Sequence, residues 1–288
     1  MDLLYRLRCT GLLHRTRESD RIIGRDAVVF SSYVPNEQAL RIAKQFLEVF
    51  CGRFADCDFF IGINAGSLPE WEVALRESGL RAMKIGKVSP DLAVNSDVSG
   101  FQKALELMRL EGKEYHLVWL GHTKGVTANH PELRRHLVEH FYLDRDYIAR
   151  LFDDPRVGSF GYNMTLGQDW AEIDARMDSL LFRFPYKGIG MYYLHTFYVL
   201  RGSIVKQFLD GCTKEFFAKN FVSELGFDRY FFERDFSRLA DKFGYYPVYG
   251  VRHQHVSAVP VTRKTVRALY REWERQLPAS MRTTIRFR

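Results

Sequence analysis

Short apolar runs alternate with amphipathic segments through the first half of the chain. The apolar runs have the length and composition of buried strands, and the segments between them place apolar residues at helical spacing. The predicted strands are Asp26–Phe30, Asp58–Ile63, Met83–Val88 and Tyr115–Leu120, and the predicted helices are Ala39–Phe50, Pro69–Glu77 and Gly100–Leu110. This alternation predicts an α/β fold with a Rossmann-type, mostly parallel sheet flanked by helices.

The second half of the chain has a less regular pattern. It predicts helices at Asp144–Phe152 and Phe227–Phe243, strands at Val157–Tyr162, Gly190–Leu200 and Pro247–Val251, and a last helix after Thr262. We therefore expect a single domain over residues 26–261. A basic N-terminal segment, 1–25, precedes it, and a helix and tail, 262–288, follow it.

Composition and charge narrow the function classes. Hydrophobic residues make up 46% of the 288 residues and aromatic residues 15%, which excludes a disordered, collagen-like or coiled-coil chain. The net charge of +7 resides at the ends, with +3 in residues 1–25, +6 in 263–288 and −2 between them. Composition therefore gives no argument for a nucleic-acid-binding core.

The C-terminal segment 263–277 has two distinct faces. Arginine recurs every four residues on one face and apolar residues line another: Arg263, Arg267, Arg271 and Arg275 against Val266, Tyr270, Trp273 and Leu277. This pattern predicts a basic amphipathic helix that suits an anionic membrane surface. The alternative is a helix packed on its own domain or on a second copy in a homodimer. A competing function class is a non-enzymatic nucleic-acid- or membrane-binding protein that uses this end.

The cysteine pattern and the length of the apolar runs indicate the cellular compartment of the protein. The four cysteines, Cys9, Cys51, Cys57 and Cys212, form no CxxC pattern, which predicts reduced thiols. No apolar run is long enough for a membrane-spanning helix, and Arg6 and Arg8 interrupt the N-terminal apolar stretch. We expect a cytoplasmic protein, peripheral at the inner face of the membrane if its basic end docks there.

Three segments follow predicted strands or open a predicted helix, and parallel strands bring such segments to one edge of a sheet. They are Ser31-Ser32-Tyr33, Asn95–Gly100 and Gly121–Gly125. In the last of them, Lys124 offers a point charge that suits a phosphate or a leaving diphosphate, with His122 and Thr123 beside it. The alternative is an ordinary solvated turn.

Two further segments carry candidate acids. Asp97 is a candidate acceptor for ribose hydroxyls, although Asn95 and Asp97 are also typical helix caps. Aromatic residues surround Glu233, and such surroundings raise a carboxyl pKa toward the range of a general base. The alternative for Glu233 is a charged helix face. Asp144-Arg145-Asp146 matches the DxD pattern of many nucleotide-sugar enzymes, but acids in a first turn also favour the helix dipole.

In their order, these segments resemble a GT-A glycosyltransferase, and more narrowly the rhamnan synthesis protein F type of family, over roughly residues 26–250. Five segments carry the resemblance: NSDVSGF in place of an N-G-R-D-like stretch, YHLVWLGHTKG in place of a strand with an H-D-K-K-like loop, FDDPRVGSFG for N-P-x-I/L/V-G, GMYYLHTFYVLRG closing on Arg201, and the Glu233-Arg234 helix before Gly244 and Tyr245. Thr123 stands where the family has an acid.

The resemblance implies an inverting glycosyltransferase that uses a UDP-, dTDP- or GDP-linked sugar and a glycan or lipid-linked glycan acceptor. Its implied donor-binding residues are Ser31, Tyr33, Asn95, Asp97, His122, Thr123, Lys124 and Arg201. Glu233 takes the position of the catalytic base, where related enzymes usually have Asp, and Asp228 and Glu224 are alternatives. The strand that normally ends in DxD ends here in Gly121-His122-Thr123-Lys124. This implies an enzyme that needs no metal, or one that binds a metal through other residues.

Overall fold

A computed structural model describes residues 25–80, 82–94, 96–123, 142, 145–162, 164–166, 191–193, 196–243, 245–250 and 259–260. The strands are β1 (Ala27–Ser32), β2 (Asp58–Ile63), β3 (Met83–Lys87), β4 (Leu117–His122), β5 (Val157–Tyr162), β6 (Met164–Leu166), β7 (Met191–Tyr193), β8 (Tyr198–Arg201), β9 (Tyr246–Gly250) and β10 (Val259–Pro260). The helices are α1 (Glu37–Arg53), α2 (Pro69–Glu77), α3 (Val98–Glu111), α4 (Arg145–Leu151), α5 (Gly202–Gly211), α6 (Glu215–Ala218), α7 (Phe231–Arg234) and α8 (Leu239–Lys242).

Eight of these strands form one sheet, in the order β10-β9-β5-β8-β4-β1-β2-β3. β1 pairs in parallel with β2 and β4, β2 with β3, and β5 with β9. β8 runs antiparallel between β4 and β5, and β10 is antiparallel to β9. The prediction of an α/β fold with a mostly parallel sheet is therefore confirmed.

The central strands β1, β2 and β4 are buried on both faces, because helices cover both sides of the sheet. Alternate residues of β1 enter two separate cores. Val28 and Phe30 pack with residues of α1, α2 and α4, and Ala27 and Val29 pack with residues of α3, α5 and a Phe-rich segment near the C-terminal end of the described chain. The sheet is the middle layer of three.

Two glycines bring α3 unusually close to the sheet. A Cβ on Gly62 of β2 would overlap the backbone carbonyl of Gly100, and a Cβ on Gly100 would overlap the Oγ of Ser31. Only glycine leaves room for this approach of helix and strand. As a result, the first turn of α3 lies directly against the carboxyl end of β1.

The predicted strand Gly190–Leu200 is wrong as a single element. The described residues form two short strands, and β7 pairs with β6 in a separate two-stranded sheet while β8 enters the main sheet. Thr196 lies between them with a backbone φ of 53°, a left-handed conformation that does not continue a strand. His195 and Thr196 also interrupt the apolar run at this point in the sequence.

The predicted long helix Phe227–Phe243 is also wrong. The chain forms α7, a 3₁₀ turn over Phe236–Arg238 and α8, with Asp235 at the break. All six residues from Asp235 to Ala240 are buried. A straight surface helix buries one face and exposes the other, so it cannot bury six consecutive residues. Short helical pieces allow this segment to bury side chains on all sides.

Residues 1–24 and 261–288 lie outside the described part of the chain. The predicted N-terminal segment 1–25 is therefore described only at Arg25, and the predicted C-terminal segment 262–288, with its amphipathic helix 263–277, is not described. Among the residues that the structure describes, none of the helices has the length and apolar character needed to cross a membrane.

Candidate functional site

The order of the central strands creates a crevice at their carboxyl ends. From β1 the chain proceeds to β2 and β3 on one side and then returns to β4 on the other side. In open α/β sheets, ligands bind outside the carboxyl ends of the strands at such a reversal. Ser31 and His122 pair across β1 and β4 at this point, so both predicted site residues lie at the crevice.

Thr123 joins the ends of β1 and β4. Its backbone N–H donates to the carbonyl of Ser31 at 3.1 Å. Its Oγ1 accepts from the backbone N–H of Tyr33 at 2.8 Å and donates to the Tyr33 carbonyl at 3.1 Å. Thr123 is only 5% exposed, so its hydroxyl holds the two loops together and is not available to a ligand.

Ser31 joins the end of β1 to the start of α3. Its Oγ donates to the carbonyl of Asp97 at 2.7 Å and accepts from the side-chain amide of Asn64 at 3.1 Å. Asn64 also donates to the carbonyl of Ser32 at 3.1 Å. All three contacts are within the protein, and the bond from Ser31 holds the backbone of Asp97.

Asn64 is a site residue that sequence reasoning missed. It directly follows the second predicted strand, Asp58–Ile63, and leaves that strand at the same edge as Ser31 and His122. The signal that could have found it is its place directly after a buried strand of a parallel sheet. The same reasoning selected Ser31 and His122.

His122 and Asp97 form the accessible part of the cluster. The Nδ1 of His122 lies 3.5 Å from the Oδ2 of Asp97, and the side chains are 15% and 22% exposed. The His122 ring lies between Phe197 and Phe101, with centroids 5.5 and 6.4 Å away. Asp97 can accept hydrogen bonds from hydroxyls, and His122 can donate to an oxyanion. The half-buried Tyr33 follows β1, and its backbone bonds to the neighbouring Thr123.

The segment that carries Glu233 packs next to this crevice. The ring of Phe232 on α7 lies 5.0 Å from that of Phe101 on α3. The Oγ of Ser96 donates to the carbonyl of Arg229 at 2.8 Å, which ties the turn before α7 to the loop before α3. Glu233 is half-buried on α7, so the predicted base lies on an element adjoining the His122–Asp97 pair.

Asp228 is engaged in local contacts. Its Oδ1 accepts from the backbone N–H of Tyr230 at 2.7 Å, and its Oδ2 lies 3.5 Å from the guanidinium of Arg234. Glu224 accepts from the backbone N–H of Asn220 at 2.6 Å. Both alternative bases therefore hold turns of their own segment.

The structure does not bring Arg201 to this cluster. Arg201 pairs with Leu117 at the start of β4, the opposite end of that strand from His122. Its buried guanidinium donates to the carbonyls of Phe152, Asp154 and Val157 at 2.9 to 3.0 Å. The structure therefore separates Arg201 from the other predicted donor-binding residues that it describes, because an antiparallel strand ends at the other edge of a parallel sheet.

Two predicted donor-binding residues, Asn95 and Lys124, lie outside the described residues, as does Asp144 of the DxD-like triplet. Arg145 of that triplet contacts Asp26 and Asp56, at the amino edge of the sheet and away from His122. In the described ranges, His, Cys, Asp and Glu side chains nowhere gather in a group of three or more that could hold a metal ion.

The fold and the cluster together define an α/β protein with a Rossmann-like sheet and a polar crevice at its strand reversal. A scan of the chain against protein-family models gives no match, and a search of curated proteins gives none either. The resemblance to glycosyltransferases therefore depends on the sequence motifs.

Proposed function

We propose that this protein is a glycosyltransferase that moves a sugar from a nucleotide-sugar donor to a hydroxyl of a glycan acceptor, with inversion, in the synthesis of a surface polysaccharide or another glycan. The observation that carries the proposal is the His122–Asp97 pair at the strand reversal, with Glu233 on the adjoining helix. The finer assignment of a GT-A fold belongs to the same proposal, and the strand order supports it.

The donor side of the proposal follows from the chemistry of the crevice. Nucleotides bind at the carboxyl ends of such sheets. Asp97 accepts hydrogen bonds from ribose hydroxyls, and Tyr33 lies against the nucleoside. His122 and Lys124 supply positive charge to the diphosphate, which removes the need for a metal in this proposal. Ser31, Thr123 and Asn64 hold the loops that carry these groups.

The transfer step needs only the donor, the acceptor and these residues. The acceptor hydroxyl oxygen forms a bond to the anomeric carbon while the bond from that carbon to the diphosphate oxygen breaks. The hydroxyl proton goes to Glu233, and the electron pair of the broken bond stays on the departing nucleoside diphosphate. Negative charge on that group rises during the step, so cations beside it lower the barrier.

The membrane and oligomer parts of the proposal concern residues 263–277, which lie outside the described part of the chain. An anionic inner membrane surface suits their basic, aromatic pattern and is where a lipid-linked acceptor resides. A homodimer through the same helix is the alternative, and cytoplasmic localisation is part of this proposal.

A thermal-shift panel tests the donor site. The probes are UDP, GDP, dTDP and CMP, each with Mn²⁺ and with EDTA. We expect one nucleoside diphosphate to stabilise the protein with EDTA present, by about 2.7 kcal/mol at a hundredfold excess over Kd. Asp97→Asn is expected to reduce this effect, since a hydrogen bond to a charged group contributes about 1.5–3 kcal/mol.

Asp91→Asn is the matched control, because Asp91 is an exposed acid just before the same loop. It is expected to leave the nucleotide effect unchanged. Stabilisation by none of the four nucleotides contradicts the proposal. An equal loss in both variants contradicts the role of Asp97.

A further inference from the structure

The hydroxyl of Tyr198 connects the centre of the sheet to the backbone of Glu233. Tyr198 lies on β8, opposite Leu120 of β4, and is completely buried. Its hydroxyl donates to the carbonyl of Phe232 at 2.6 Å. That carbonyl belongs to the peptide group that joins Phe232 to Glu233, so the phenol holds the backbone immediately before the proposed base.

A second hydroxyl holds the other side of Glu233. The Oγ of Ser237 donates to the carbonyl of Glu233 at 2.9 Å. Both peptide groups that flank Glu233 thus receive a hydrogen bond from a buried side chain. We call the hydroxyls of Tyr198 and Ser237 the Glu233 clamp.

The clamp matters because α7 has only four residues. A helix of one turn has little stability of its own, and most of its backbone groups lack partners within the helix. Tertiary contacts therefore decide where α7 lies. Of the two clamp hydroxyls, only Tyr198 comes from the sheet, whose register also fixes His122.

The surroundings of Tyr198 favour the protonated form of its hydroxyl. Burial raises the pKa of Tyr198 far above its ordinary value, and the carboxylates of Asp97, Glu233 and Asp235 raise it further.

We propose that Tyr198 is a positioning residue that, with Ser237, sets the distance of the Glu233 carboxylate from the donor crevice. This inference rests on the proposed function, in which Glu233 takes the acceptor proton. Tyr198 acts through the Phe232 carbonyl and touches neither substrate. Small displacements of a reacting group are costly, since a shift of about 1 Å reduces rates by about 100-fold.

Tyr198→Phe tests the clamp, with Tyr193→Phe as its matched control. The two rings stack with centroids 5.7 Å apart, both residues are buried, and the Tyr193 hydroxyl bonds to Ser159 at 2.9 Å. Tyr193 reaches the clamp through its backbone N–H, which donates to the Oγ of Ser237 at 3.4 Å, and Tyr193→Phe keeps this bond. The assay is release of nucleoside diphosphate from UDP-glucose, GDP-mannose and dTDP-rhamnose, with water as acceptor. Nucleoside-diphosphate affinity and melting temperature are measured for the same proteins.

We expect Tyr198→Phe to lower kcat by about 10- to 100-fold while nucleoside-diphosphate affinity stays at the wild-type value. Tyr193→Phe is expected to lower the melting temperature by a similar amount and to keep the wild-type kcat. A purely structural role for Tyr198 gives the same kcat in both variants. If circular dichroism shows Tyr198→Phe unfolded, Ser237→Ala takes its place, and the inference requires it to lower kcat more than Tyr193→Phe does.

Glu233→Gln distinguishes a failure of the clamp from a failure of the proposed function. Loss of turnover in Glu233→Gln, with equal kcat in the two tyrosine variants, overturns the clamp and leaves the proposed function intact. Wild-type protein that turns over none of the three donors overturns the proposed function and the clamp with it. Glu233→Gln at the wild-type rate overturns the assignment of Glu233 as the base, and with it the clamp.

Discussion

Burial divides the side chains of the candidate site into two kinds. Ser31, Asn64 and Thr123 are 1%, 6% and 5% exposed, and the two hydroxyls and the Asn64 amide N–H bond to other parts of the protein. His122 and Asp97 keep accessible surface at the crevice. The buried residues therefore act by fixing loops, and the accessible ones are the groups that a ligand can touch.

Glu233→Gln tests the proposed base at the level of a single residue. The substitution keeps the shape of the side chain and removes its ability to take a proton. We expect turnover to fall by about 10²- to 10⁴-fold, the usual contribution of general base catalysis, with nucleotide stabilisation unchanged. Turnover of the nucleotide sugar and thermal shift with the nucleoside diphosphate measure the two effects.

Glu224→Gln serves as the control, because this exposed acid caps a turn at Asn220. We expect it to retain turnover. Wild-type turnover in Glu233→Gln, together with a loss in Asp228→Asn, transfers the role of base to Asp228.

Among the elements, α3 is the one whose position decides the site. Its first turn carries Asp97 at the N-terminal boundary and lies against β1 and β2 through Gly62 and Gly100. The contact places the Asp97 carbonyl within a hydrogen bond of Ser31. Helix and sheet therefore hold the crevice together through backbone proximity as well as through side chains.

Gly100→Ala tests this close packing. The added methyl group overlaps Ser31 and the amide of Asn64, so the helix must shift away from the sheet. We expect a loss of about 1–3 kcal/mol in the free energy of unfolding, as for other overpacked positions. Urea denaturation measures the stability, and the thermal shift with nucleotide reports whether the crevice has opened.

Gly52→Ala is the matched control within a helix. Nothing lies within 4 Å of a Cβ at this position of α1, so alanine is expected to be neutral or to stabilise by up to about 0.5–1 kcal/mol. Equal effects of the two substitutions contradict the role of close packing at Gly100.

At the scale of the molecule, Arg145 joins the second half of the chain to the first. Its guanidinium contacts both oxygens of Asp56 at 2.6 and 3.0 Å and Asp26 at 3.1 Å. It also lies 4.8 Å from the centre of the Phe54 ring. These contacts connect α4 to the amino edge of the sheet, away from the candidate site.

Acid is expected to weaken this connection. The hydrogen bond and charge of Arg145 hold the pKa of Asp56 below its ordinary value. A carboxyl group with a lowered pKa stabilises the folded state above its unfolded pKa, and this stability is lost as pH falls through the folded pKa. We therefore expect the melting temperature to decrease as the pH falls below about 4, the ordinary pKa of an aspartate.

Asp56→Asn isolates this contribution. Because Asp56 is largely exposed, solvent screening keeps the effect small. The variant is expected to be less stable at neutral pH and to lose less stability in acid than the wild type, as followed by melting temperature across the pH range. Parallel curves for the two proteins contradict the assignment.

The local pattern of apolar and polar residues was sufficient to predict the helices and strands in the first half of the chain. β2 and α2 have the predicted bounds, and β1, β3, β4, α1 and α3 lie within a few residues of theirs. These elements are regular amphipathic helices or buried strands, so their periodicity is visible in the sequence. Pattern failed at Phe227–Phe243 and Gly190–Leu200, where apolar residues occur without a period and the packing decides the backbone.

The sequence by itself determined the α/β class, the order of the central elements and the polar residues at the strand ends, because each depends on neighbours in the chain. Only the tertiary structure decided which of those residues meet. Ser31 and Asp97 are 66 positions apart, and Tyr198 and Phe232 are 34 apart. Such contacts depend on strand order and helix packing, which no local spacing encodes. For the same reason Arg201 and His122, on adjacent antiparallel strands, lie at opposite edges of one sheet.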